Sequence, residues 1–143
     1  MTIKRRVLVI IIWWYNIDVL NTFGPGRRFL EGIEIARKAV EAAGEKQASD
    51  IVLLDVSKIC TFADYFVVCS GESERQLKAI GDEIEQTLKK HGARSIHQEG
   101  TSSSGWLLYD YGDVLIHIFA PAERDFYQLD ELWSQATQVI RIQ

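Results

Sequence analysis

Residues 106–119, WLLYDYGDVLIHIF, constrain the fold more than any other stretch of this chain. Two runs of strand-forming side chains flank a short polar centre, and Gly112 and Asp113 sit where a hairpin needs its turn residues. Strand parity then divides the first arm: Trp106, Leu108 and Asp110 share one face, and Leu107, Tyr109 and Tyr111 share the other. One of these faces must pack on helices, so either Trp106 or Tyr109 is open to being a plain core aromatic. The turn also carries more aromatic and acidic chemistry than a bare turn requires. Tyr and Trp at a surface are the side chains that most often carry binding energy, which points to a docking surface.

The remaining periodicities place helices and strands around this hairpin. Ile33, Ala36, Val40 and Ala43 recur at helical spacing between Phe29 and Ala43, with Gly44 as a stop. Asp50–Val56 and Tyr65–Ser70 are short continuous apolar runs, the pattern of strands buried on both faces. The second helix has Ser73 as its cap, Gln76 completing a capping box, and a stripe of Leu77, Ile80, Ile84 and Leu88. Lys89, Lys90 and His91 suit its C-terminal dipole, and Gly92 supplies the left-handed residue after it. Arg94–Gln98 reads as a short strand, Thr101–Gly105 as a mobile loop, and Phe126–Ala136 as a closing helix presenting Leu129, Leu132 and Trp133. The order predicts an α/β (α+β) fold, a mixed sheet of about five strands packed with helices.

At 143 residues the chain is expected to form one domain with a real core. Its charge is uneven. Residues 1–30 carry five basic groups and one acidic group, whereas residues 31–143 carry 11 basic and 19 acidic groups, a net of −8. An acidic body disfavours broad binding to phosphate backbones and attracts basic proteins. Lys4-Arg5-Arg6 followed by the apolar run Val7–Tyr15 has the charge order of a signal peptide, but nine apolar residues are too few to span a bilayer and no small-residue cleavage site follows. An extra strand, a loosely packed extension and an upstream start codon are the other readings. Residues 21–26, NTFGPG, read as a linker, so 1–28 is taken as an extension and 29–143 as the domain. Cys60 and Cys69 show no disulfide or metal spacing, and Cys69 reads as a buried inert thiol in a reducing, cytoplasmic setting.

Several segments together resemble the ribosomal silencing factor family, also called Iojap-like proteins. They are Ala48–Ser57 (ASDIVLLDVS), Ala63–Gly71 (ADYFVVCSG), Ser73–Gln76, the hairpin, and Arg124–Trp133 (RDFYQLDELW), in that order. The resemblance covers about residues 29–137. It implies a cytosolic homodimer that binds the large ribosomal subunit through its basic ribosomal protein fourteen, blocks joining of the small subunit and represses translation. It also implies a sheet related to that of nucleotidyltransferases without their active site.

The residues singled out for partner binding are Trp106, Tyr109, Asp110, Tyr111, Asp113, Arg75, Arg124 and Tyr127, with Trp106 and Tyr111 the leading anchors, so that Tyr111→Ala is expected to weaken large-subunit binding without unfolding the protein. Asp110 and Asp113 can accept hydrogen bonds from Lys or Arg on the partner, or can simply cap their own turn. Gln76 is explained by its cap; Arg75 is not, so a functional or ion-pair role is open. Arg124 and Tyr127 can cover the hairpin's flank. His117, alone in an apolar strand, reads as a structural residue. Catalysis is not expected: the nucleotidyltransferase carboxylate pair on one strand face is absent, there is no Walker-type loop, and the spacing of Cys60, Cys69, His97 and His117 supports no nucleophile pair. No cofactor, metal, membrane or sequence-specific nucleic acid is expected. The alternative reading is a nucleotidyltransferase-like nucleotide-binding protein or enzyme.

Overall fold

The computed structural model describes residues 30–143. The N-terminal extension, its apolar run and the turn-rich 21–26 stretch lie outside the described residues. The elements run α1 (Gly32–Glu45), β1 (Ser49–Asp55), β2 (Tyr65–Ser70), α2 (Glu74–Lys90), β3 (His97–Glu99), a 3-10 turn (Ser102–Ser104), β4 (Trp106–Asp110), β5 (Val114–Phe119), α3 (Pro121–Tyr127), α4 (Leu129–Leu132) and β6 (Thr137–Ile142). The six strands form one sheet in the order β3-β4-β5-β2-β1-β6. Only β2 and β5 pair in parallel; the other four pairings are antiparallel.

The central strands are apolar on both sides because both sides are covered. Ile51, Leu53, Val67, Cys69, Leu107, Tyr109, Tyr111, Val114, Ile116 and Ile118 face α1 and α2. Their neighbours one residue away, Val52, Leu54, Phe66, Val68, Leu108, Leu115 and Phe119, face the 56–64 loop and α3–α4. Alanines 36, 39, 42 and 43 are almost fully buried, which lets α1 approach closely. From α2, Leu77, Ile80, Ile84 and Leu88 bury the expected stripe, each worth about 1.5–3 kcal/mol.

The caps follow local chemistry. The Ser73 hydroxyl accepts from Gln76 N at 3.1 Å, while the Gln76 side-chain carbonyl accepts from Glu72 N at 2.7 Å rather than from Ser73 N. The Gln76 amide also donates to the carbonyls of Lys46 and Gln47, so one side chain ties the start of α2 to the end of α1. Gly92 has φ +88°, as its place after the helix demands.

Beyond the capping box, which Gln76 leaves open by accepting from Glu72 N, four expectations differ. The sheet has a sixth strand, β6, on its edge beside β1. The closing helix begins earlier, at Pro121, whose fixed φ suits the first helical position, and it breaks at Gln128, which adopts φ +47°. Thr101–Gly105 is a hydrogen-bonded turn: Thr101 Oγ1 accepts from Ser104 N and Ser104 Oγ accepts from Thr101 N, each at 3.2 Å. The strand expected at Arg94–Gln98 is shifted to His97–Glu99.

Candidate functional site

The hairpin divides its aromatic residues as strand parity requires. Tyr109 and Tyr111, only 7% and 6% exposed, lie in the core against the α1–α2 layer. The Tyr111 hydroxyl is buried without a partner among the described residues. Burial, with Glu85 and Tyr109 nearby, pushes its phenol far above the usual range, and burial pushes Tyr109 up to about 12. Neither ring lies at the surface of this chain. Strand parity left Tyr109 open to being core, but Tyr111, expected with Trp106 as a leading anchor on the partner, is placed in the core as well, because α1 and α2 cover that face.

The acidic pair at the turn has separate tasks. Asp110 is 4% exposed and its Oδ1 accepts from Gly112 N at 2.6 Å, closing the turn with Gly112 at φ +84°. Asp113 is exposed at the tip, and its backbone carbonyl accepts from Asp64 N and Tyr65 N at 2.8 and 3.0 Å. Arg75 is exposed on the first turn of α2 and makes no ion pair among the described residues. Arg124 is occupied within the fold. Its Nη1 donates to Asp50 O at 2.5 Å and Ser70 Oγ at 3.0 Å, and its Nη2 pairs with Asp50 and Asp130, each at 3.1 Å. With 12% of its side chain exposed, it clamps the α3–α4 break onto the ends of β1 and β2.

The surface that remains is built around Trp106 and Tyr127. The Trp106 indole stacks on Phe119 at 5.1 Å and lies 4.6 Å, centroid to centroid, from Tyr127. Its Nε1 donates to His117 Nδ1 at 3.2 Å, which leaves the imidazole proton on Nε2. His117 is fully buried, its Nε2 has no partner among the described residues, and burial pushes its pKa down to about 3. It is a neutral prop under the indole. Glu99, Gly100, Ser104, Trp106, Leu108 and Tyr127 line an open notch of about 140 Å³. Beside it Phe126 is 59% exposed, with its ring 5.4 Å from Tyr127. The Glu123 carboxylate lies directly over Gly105, at the foot of β4.

Of the eight residues singled out, Trp106 and Tyr127 are brought together, and Asp113 and Arg75 are exposed elsewhere. Glu99, Ser104 and Phe126, which the structure adds to this surface, are not among the residues expected from the sequence. The aromatic pair Phe126-Tyr127 next to acidic residues was the available signal for the last; Glu99 and Ser104 become neighbours of Trp106 only through β3–β4 pairing and the 3-10 turn.

No three His, Cys, Asp or Glu side chains converge as a metal site among the described residues. Burial pushes the Cys69 thiol up to about 12, far from a reactive thiolate. No described helix is long and apolar enough to cross a membrane.

The family model described as "Ribosomal silencing factor during starvation" matches residues 30–143. The chain belongs to the ribosomal silencing factor family. Among its relatives in this family, the ribosomal silencing factor of Bacillus subtilis is 39% identical over 102 residues, 71% of this chain and 86% of the relative. The mouse protein named for mitochondrial assembly of the ribosomal large subunit is 33% identical over 93 residues, 63% of this chain and 41% of its own length. A crystal structure of a Chromobacterium violaceum protein superposes with a TM-score of 0.71 at 34% identity, covering 78% of this chain and 94% of that one. The mixed α+β fold is therefore the one seen in experimental structures of similar chains, and the family is one of ribosomal silencing factors.

Proposed function

We propose that this silencing factor binds the large ribosomal subunit through its basic ribosomal protein fourteen, on the face that meets the small subunit. A rigid body seated there excludes the small subunit by sterics and so represses translation. The mechanism needs no bond-making chemistry. Family membership over residues 30–143 is the observation that carries this reading. Two physical features support it: the net charge of −8 over residues 31–143 suits a basic protein partner, and Trp106, Tyr127 and Phe126 offer aromatic anchors among carboxylates. The free protein is proposed to be a homodimer.

Co-sedimentation with isolated large subunits, small subunits and joined ribosomes tests the proposal. Binding confined to free large subunits is the expected result. Equal binding to both subunits, or to neither at moderate salt, overturns it. Light scattering coupled to size exclusion tests the dimer, which predicts twice the chain mass.

A further inference from the structure

We infer that the notch beside Trp106 is a socket for one arginine side chain projected by the protein partner. The inference deepens the proposed docking and rests on it for the partner's identity.

Size sets the first limit. Pockets for cofactors and small molecules run to about 300–1,000 Å³, and this notch holds about 140 Å³. That is room for the end of one long side chain.

Chemistry sets the second. The floor and walls are apolar and flat: Leu108, the Trp106 indole and the Tyr127 ring, the two rings inclined at 45°. The acidic group among the lining residues is Glu99, at the end of β3, its side chain 45% exposed and one oxygen 2.6 Å from His97 Nε2. No basic residue lines the notch. The basic residue on the adjoining helix, Arg124, is turned into the fold and held by Asp50 and Asp130. The notch therefore has aromatic faces and a carboxylate that it shares with His97 outside the lining, and no Lys or Arg among its lining residues. A guanidinium fits this combination better than an ammonium, since it stacks on aromatic faces and meets a carboxylate in a planar, directional way.

Preorganisation is the third point. Trp106 is fixed by its hydrogen bond to His117 and its stacking on Phe119, and the Thr101–Ser104 pair holds the loop on the other wall. A socket that does not have to be ordered on binding is where interface energy concentrates.

Two measurements test the inference, and the first fails independently of the docking proposal. In the first, the Trp106 indole N–H resonance of the full chain is followed during titration with N-acetyl-arginine amide, N-acetyl-lysine amide and N-acetyl-glutamine amide. A saturable shift with the arginine probe, strongest of the three and lost in Glu99→Gln, is expected. No shift, or the same shift with all three, overturns the socket, whatever the protein does on ribosomes. In the second, large-subunit affinity is compared among wild type, Glu99→Gln, Glu99→Lys and Glu41→Lys. Glu41 is exposed on α1, across the sheet from the notch, so its reversal repeats the charge change away from the site. The socket predicts losses of about tenfold for Glu99→Gln and about a hundredfold for Glu99→Lys, with Glu41→Lys within about twofold. Equal losses for Glu99→Lys and Glu41→Lys would mean bulk charge alone, and overturn the inference. A specific arginine shift in a protein that binds no large subunit would keep the socket and remove the ribosomal partner.

Discussion

Truncating Tyr111 separates a docking role from a packing role. The ring is 6% exposed and packs with the α1–α2 layer. A buried tyrosine removes roughly 150–250 Å² from water, and cutting a large aromatic to Ala in a core costs about 3–5 kcal/mol once the cavity is included. Total stability for a domain of this size is about 5–15 kcal/mol. At about 4 °C per kcal/mol, Tyr111→Ala should lower Tm by roughly 12–20 °C. Tyr111→Phe should behave in the opposite sense. The hydroxyl is buried without a partner among the described residues, so deleting it removes a desolvation cost of about 1 kcal/mol and leaves Tm unchanged or raised by up to about 4 °C. Thermal melts by circular dichroism, run beside large-subunit co-sedimentation, read both effects. Tyr111→Ala that melts like wild type yet loses binding would place the ring at the interface and refute the packing account. A Tyr111→Phe variant destabilised by 1 kcal/mol or more would show that the hydroxyl has a partner.

Three further outcomes follow from the same core. Gly81→Ala should destabilise despite a helix-propensity gain of about 1 kcal/mol, because the new Cβ collides with the Tyr109 hydroxyl; the loss should shrink in a Tyr109→Phe background, measured as a double-mutant cycle. His117 takes up no second proton in the fold until about pH 3, against about 6.5 when unfolded. The unfolded state therefore takes up a proton first as pH falls. Stability present above pH ~6.5 should be lost toward pH ~3 with a slope of up to about 1.4 kcal/mol per pH unit, and His117→Leu should flatten that part of a denaturant-versus-pH series. Cys69, fully buried with its thiol pushed up to about 12, should resist alkylation in the native protein and react on unfolding, while half-buried Cys60 labels first; equal native labelling of both would contradict the placement of β2.

The hairpin was legible because its information is local. Alternation along Trp106–Tyr111 and the Gly112-Asp113 turn place each side chain on a face without reference to anything distant, and the structure follows that parity. The stripe of α2 and its Ser73 and Gly92 ends were legible for the same reason. β6 was not, because an edge strand that buries little beyond Ile140 needs no marked apolar pattern; Thr137–Ile142 becomes a strand by pairing with β1, far earlier in the chain. The break at Gln128 was hidden too, since a residue other than glycine holds the left-handed conformation there. Arg124, expected at the partner surface, is instead placed within the fold by tertiary contacts that no local pattern shows: its partners Asp50 and Ser70 lie 74 and 54 residues away. Which hairpin residues are buried under α1 and α2 was likewise beyond sequence pattern alone, because it depends on which side of the sheet those helices cover.

The most direct test of the account is subunit joining followed by light scattering. Purified protein is added to large subunits before small subunits, and in a second series after joined ribosomes have formed. Silencing by occlusion predicts that pre-incubation lowers the yield of joined particles in proportion to the large subunits occupied, with little dissociation of particles already joined. Unchanged joining at saturating occupancy of the large subunit would contradict it.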